Sequence, residues 1–460
     1  MKTSRLPGAT PSMLGGLPSP LALALVLTAM VSSPALLDAQ TAASATSDGL
    51  DPVARLQEAL TDGRETLAYD TAWGYLPALL ETLEIPVSSQ GLVFSRTSLQ
   101  TDRIATWAPR AVYFNDDVYV GGVQEGPILE IATVDPDDGA RFYTLAQRAD
   151  GTPRFQEETT TCLMCHESKL TGGVPGFLML STLADRSGYP VTEFHAGSTT
   201  HATPVEDRWG GWYVTGDAGE QGHAGNIRSE RTVHEIDDRA RHLAGMHPGP
   251  ETATDTLDAF FYTGAYLTPH SDVVALLVLT HQVHVHNLIS AAAHEAQEAM
   301  RDQRAIVSTT GRVVPDDGYL PATRVRLRRA SEELVQGLLL ADEAPLEGPV
   351  RGTSGFRQDF EERGPFDARG RSLRELDLQT RLFRWPMSFL IYSDAFAALP
   401  EVVKEQVFAR LESVLSGREG AVAYVHLTPD QRATIQEILL DTHAEYRGWV
   451  EAAHGAGERP

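Results

Sequence analysis

The 460-residue chain carries 62 acidic against 38 basic side chains, a formal net charge of −24 with histidine neutral. That balance argues against a nucleic-acid partner or an anionic membrane surface, and favours solubility and a basic partner. Only two cysteines are present, so no framework of structural disulfides holds the fold and a hydrophobic core must do so.

At the N-terminus, Lys2 and Arg5 precede an unbroken apolar run at 21–31 (LALALVLTAMV), and small residues follow at Ser32, Ser33, Ala35 and Ala39. This is the layout of a secretory signal peptide, assigned to 1–39. The run is too short to span a bilayer comfortably, and an uncleaved anchor is the competing reading. No later segment reads as long and apolar enough to span, so a periplasmic or secreted protein without a transmembrane segment is expected. Residues 40–50, rich in Ala, Thr and Ser, read as a flexible lead-in.

The 51–150 region reads as α/β. Leu56, Leu60, Leu67 and Ala68 share the spacing of one apolar helical face, which predicts helix over 51–84. At 110–120, Asn115-Asp116-Asp117 separates two short aromatic and β-branched runs, a hairpin signal. The 128–145 stretch repeats it, with Asp135-Pro136-Asp137-Asp138-Gly139 as the turn. That acidic turn lacks the ligand spacing and closing Glu of a calcium loop and reads as turn chemistry.

Both cysteines fall in Cys162-Leu163-Met164-Cys165-His166, within a region, 151–303, assigned to cofactor binding. A Cys-x-x-Cys-His run is an attachment site for c-type haem. The thiols of Cys162 and Cys165 add across two porphyrin vinyl groups, and His166 reaches the iron as proximal ligand. A dithiol redox pair is the main rival, but its usual setting is a strand leading into a helix within a βαβ unit. Here the flanks are polar (157–161) and glycine-rich (170–176). A structural zinc site wants four ligands, usually with a second cysteine pair.

The far side of the iron is open to several residues. Met246, in Gly245-Met246-His247-Pro248-Gly249, is the first sixth-ligand candidate, while Met179, in an apolar run, reads as core. His201 and His223 flank the aromatic 208–216 segment and are distal candidates; His281 is a fourth. His281 and His284 share a face of the helix expected from Ser271-Asp272 to about Met300, and buried, hydrogen-bonded histidines are the expected reading there. Arg186 and Arg208 are the propionate candidates.

Residues 304–460 read as a helical C-terminal region with an irregular stretch at 341–374. Apolar spacing predicts helix at 383–397 and 401–415, and Thr428-Pro429-Asp430-Gln431 is a capping box with Pro at the first helical position. The order of elements predicts an α+β fold: a β-rich N-terminal part, a haem-binding segment and a mostly helical C-terminal part.

At 162–166 the chain resembles the cytochrome c class. Over 97–100, 110–120, 208–216, 271–287 and 388–393 it looks like large exported bacterial proteins carrying one haem-attachment motif. The resemblance implies one covalent haem c per chain and supplies no reaction. The flanking β-rich segments depart from the compact helical plan of a small cytochrome c. Dihaem peroxidases carry two such motifs and this chain one. Electron transfer to a redox partner protein is the expected function. The alternatives are a haem-dependent oxidoreductase acting on peroxide or another small molecule, and a haem-based ligand-binding or sensing protein.

Overall fold

Asp51 accepts the backbone N–H groups of Val53 and Ala54, and Pro52 takes the first position of helix α1 (Pro52–Thr61). The computed structural model describes residues 51–135, 139–246, 253–418 and 422–455. The leader (1–39), the lead-in up to Leu50, the turn residues 136–138 and His247 lie outside them. Helix α1 stops at Asp62-Gly63, where the glycine turns left-handed (φ +68°), a conformation that costs glycine little. The single helix expected over 51–84 is therefore two, α1 and α2 (Leu76–Thr82), with irregular chain between.

Six strands follow: β1 (Gly91–Val93), β2 (Arg110–Phe114), β3 (Val118–Gly122), β4 (Ile128–Asp135), β5 (Gly139–Ala146) and β6 (Phe155–Glu157). Both expected hairpins form, β2–β3 and β4–β5. In the first turn the Asn115 side chain accepts from Asp117 and Val118 N–H. The four-residue helix α3 (Leu163–His166) carries the end of the Cys-x-x-Cys-His run. Strands β7 (Thr182–Asp185), β8 (Pro190–Glu193), β9 (Trp212–Tyr213) and β10 (Arg228–Ser229) come next. Strand β9 pairs with β1 and completes an antiparallel seven-stranded sheet, order β6-β5-β4-β3-β2-β1-β9. A small second sheet has the order β10-β7-β8.

Side chains alternate across the large sheet, so its two faces build two cores. Val112, Phe114, Tyr119 and Phe142 pack on one side with α5 (Val273–Thr310), which follows the short α4 (Arg239–Ala244). Ala111, Tyr113, Val120 and Leu129 pack on the other with α1, α2 and the segment around Leu257 and Phe261. Helix α5 is capped by Asp272, which accepts Val274 N–H, and ends at Thr310, ten residues beyond the expected Met300, with Gly311 (φ +66°) as its C-cap. It is long and apolar enough to cross a membrane by length and composition, contrary to the sequence reading, and 83% of its most apolar window is buried inside the fold. Burial all round is what an apolar helix at the centre of a large core requires.

Helix α6 (Pro321–Leu338) lies along α5 and spends its arginines on ion pairs: Arg326 with Glu295 and Asp302, Arg329 with Glu333. The 341–374 stretch is irregular apart from α7 (Phe356–Glu361), yet Leu346, Val350, Phe356, Phe360 and Leu373 are buried in the main core. It is part of that core rather than a free linker. Over 383–397 a short 3₁₀ turn and α8 (Asp394–Ala397) replace the expected helix, while Phe383, Phe389 and Phe396 still fill the core. Helices α9 (Glu401–Leu415), α10 (Pro429–Thr442) and α11 (Ala444–Gly455) close the chain. The reciprocal Thr428–Gln431 capping box is present. The fold is α+β.

Candidate functional site

Helix α3 sets Cys162, Cys165 and His166 at the edge of a cavity of about 580 Å³ between the large sheet and α5. Strands β2 to β5 contribute Arg110, Val112, Tyr119, Glu130 and Phe142, the run 177–180 contributes one wall, and Leu279 and Val283 of α5 contribute another. The size lies inside the range of roughly 300–1,000 Å³ for small-molecule and cofactor sites, and an apolar lining with a few placed polar groups is their usual make-up.

His166 is held in one orientation. Its Nδ1 lies 2.8 Å from the Gly176 carbonyl oxygen, a contact that requires a proton on Nδ1 and leaves the Nε2 lone pair free. The ring packs against Phe142 at 4.5 Å between centroids, and burial holds its pKa below the ordinary histidine value, so the neutral ligating form is favoured. Gly176 is in turn fixed by Asn287 of α5, whose side chain accepts Phe177 N–H at 2.8 Å and donates to Phe177 O at 2.9 Å. A Cβ on Gly176 would approach Asn287 Oδ1 to 2.7 Å, so this backbone passage requires glycine.

Cys162 is half-buried and Cys165 exposed. Burial, with Glu158 and Glu130 nearby, pushes the Cys162 thiol up to about 11. A dithiol redox centre needs the opposite, a thiol lowered toward neutral pH. The shift runs against Cys162 as the attacking thiol of a disulfide exchange.

Comparison with protein-family models, with curated proteins and with solved structures finds no match. The chemistry of the site therefore rests on its own residues.

None of the four distal candidates lines this cavity. His201, His223 and His281 are buried elsewhere, and Met246 packs with Leu183, Val191 and Ile236 beside the small sheet. His281 lies two residues from both Leu279 and Val283, and at about 100° per residue it projects from the other side of α5. There it belongs to a hydrogen-bonded chain. Asp342 Oδ1 lies 3.0 Å from His201 Nε2, His201 Nδ1 lies 2.9 Å from His281 Nδ1, and His281 Nε2 lies 2.8 Å from Ser388 Oγ. With a carboxylate at one end the protons are ordered: His201 donates to Asp342, His281 to His201 and Ser388 to His281. Arg208, the expected propionate partner, is buried and donates to the carbonyls of Thr203 and His201.

Among the described residues, the cavity instead receives Met179, Arg110 and Arg96. Met179 is buried, as a core residue would be, and lines the cavity as well; the Thr280 hydroxyl lies 3.2 Å from its sulfur. Arg110 pairs with Glu130 at 2.7 Å, and Arg96 lies over the Tyr189 ring at 4.3 Å. Period-two alternation along β2 was the sequence signal that could have set Arg110 and Val112 on one face. Met179 carried no such signal, because ligand and core methionines read alike.

His223 is buried without a well-aligned hydrogen bond at either ring nitrogen, although the Gly225 backbone lies beside the ring, and burial depresses its pKa to about 4. An unsatisfied buried polar group costs about 1–3 kcal/mol. His223→Leu is therefore expected to raise unfolding stability by about 1 kcal/mol or more after imperfect packing is deducted. Urea denaturation at neutral pH measures this, and a loss of stability would show that the imidazole has a partner.

Proposed function

We propose that the mature chain is a periplasmic or secreted monohaem c-type cytochrome that transfers electrons. Haem is attached through Cys162 and Cys165, with His166 as proximal ligand. The observation that carries this reading is the meeting of the only Cys-x-x-Cys-His run with an apolar cavity of cofactor size. Bound haem supplies a one-electron iron couple. His166 presents Nε2 because Gly176 holds its Nδ1 proton, the kind of outer contact that fixes a ligating imidazole. Arg110 and Arg96 offer guanidinium groups to the haem carboxylates. Met179 is the buried thioether lining the cavity and the favoured sixth ligand, in place of Met246. The net charge of −24 favours a partner with a basic docking face.

A peroxide-using enzyme would want a free distal acid–base group; His201, His223 and Arg208 line no part of the cavity, and Glu130, which does, is held by Arg110 at 2.7 Å. Electron transfer is the better reading. The test is the visible spectrum of the exported, reduced protein before and after carbon monoxide. Sharp low-spin bands unmoved by the gas are expected. A shift would mean a displaceable sixth ligand and would move the assignment to catalysis or gas binding. In the Cys162→Ala, Cys165→Ala double variant, pigment is expected to leave the denatured polypeptide completely; retention would overturn covalent attachment at this motif.

A further inference from the structure

A second cavity, about 590 Å³, opens on the opposite face of the same sheet and is walled by aromatic rings. Tyr113 and Tyr266 are its buried members. Around them Tyr69, Trp73 and Tyr262 remain 38%, 36% and 77% exposed. The exposed rings are placed rather than merely left in water. Trp73 donates its indole N–H to Ala265 O at 3.2 Å, and its backbone N–H to Asp70 Oδ1 at 3.0 Å. Tyr262 lies so close over Gly264 that a Cβ there would come within 2.6 Å of the ring. Clustered exposed aromatics of this kind mark a ligand surface.

The charges around the cleft select the ligand. Among the described residues no Lys, Arg or His lines it, which disfavours phosphates, nucleotides and carboxylates. Its one ionisable carboxyl is Glu125, in the β3–β4 turn, with left-handed backbone (φ 53°). Arg103 donates to the Glu125 carbonyl oxygen at 3.1 Å, which fixes the turn, and the Glu125 carboxylate has no ion pair among those of the described residues. Aromatic faces carry negative quadrupole charge, and cages of Trp and Tyr bind quaternary ammonium groups by this attraction. A chain of net charge −24 adds a field that concentrates cations at such a surface.

We propose that this cleft binds a small quaternary or methylated ammonium compound, its cationic head against Trp73, Tyr69 and Tyr262 and within the field of Glu125. The site involves none of the haem-attachment residues and stands or falls apart from the haem reading.

The experiment is isothermal titration calorimetry of the mature, haem-loaded protein with choline chloride. Its controls are the neutral carbon isostere of choline, in which a tert-butyl group replaces trimethylammonium, and glucose. Saturable one-to-one binding of choline, with neither control binding, is the expected result. Tyr262→Ala and Trp73→Ala are each expected to weaken binding about three- to thirtyfold, the range of one cation–π contact. Glu125→Gln is expected to weaken it and to flatten its salt dependence. Tyr262 is mostly exposed, so its variant tests the site without disturbing the core, and a circular dichroism spectrum matching the parent verifies this. Equal binding of the isostere, preference for glucose, absence of choline binding, or choline binding unchanged by Tyr262→Ala would each overturn the proposal.

Discussion

Below about pH 6.5 the fold is expected to lose stability steeply, because several imidazoles are buried in their neutral form. Burial depresses His223 and His286 to about 4 and His284 to about 3, and it holds His281 well below the ordinary value of 6.5. Above that ordinary value these groups are neutral in both folded and unfolded chains, and their contribution does not vary. Between it and the folded values the unfolded chain binds protons that the folded chain refuses, so stability falls as pH falls. Each unit of depression is worth about 1.4 kcal/mol per group, a large increment against the ~5–15 kcal/mol that holds an ordinary domain together.

Two groups act in the opposite sense. Burial raises the carboxyls of Asp117 and Glu343 to about 7, so their protonation favours the folded state as pH falls. Both side chains, like that of His284, retain partial solvent exposure, and water screens all three effects. The net direction is destabilising. Thermal melts from pH 8 to 4 test this. A flat melting temperature down to pH 4.5 would mean that these rings take up protons inside the fold.

The second large effect is expected from His166→Ala. On the proposed attachment the thioether bonds to Cys162 and Cys165 would not involve the imidazole, so attached haem would stay in place while the iron would lose its proximal nitrogen. The low-spin fraction is expected to fall more than about tenfold, the scale on which metal sites respond even to outer-shell changes, and added imidazole should restore part of it. Asn287→Leu is a gentler test of the same arrangement. It removes both hydrogen bonds to the Phe177 backbone and so loosens the Gly176 carbonyl that orients His166. Covalent haem is expected to persist with about a tenfold rise in the carbon-monoxide-reactive fraction. A His166→Ala spectrum identical to the parent would place the proximal ligand elsewhere.

What the sequence disclosed follows from the range of the interactions involved. The hairpins at 110–120 and 128–145, the Asp272 cap and the Thr428 capping box are local devices, and all are visible in short windows. The helix over 51–84 divided because Asp62-Gly63 outweighed a periodicity interrupted there. The aromatic 208–216 run holds only a two-residue strand because Trp209 (φ 66°) and Gly211 (φ 83°) turn the chain before it pairs. The distal residues were misplaced for a different reason. The cavity joins β2–β5, the run 177–180 and α5, segments separated by up to about 170 positions in the sequence. Nearness to the motif and residue type single out His201, His223, His281 and Met246, and neither reports which side of α5 or which sheet a side chain occupies.

The large sheet is a party wall. Along β2 and β3, Arg110, Val112, Tyr119 and Gly121 face the cavity beside the motif, while Ala111, Tyr113 and Gly122 face the aromatic cleft. Because side chains alternate strictly, a one-residue insertion or deletion in either strand would exchange the linings of the two chambers. Tyr119 would turn into the aromatic cleft, and Val120 would take its place behind the cysteines. The two chambers can diversify by substitution, residue by residue, but strand length is a constraint they hold in common.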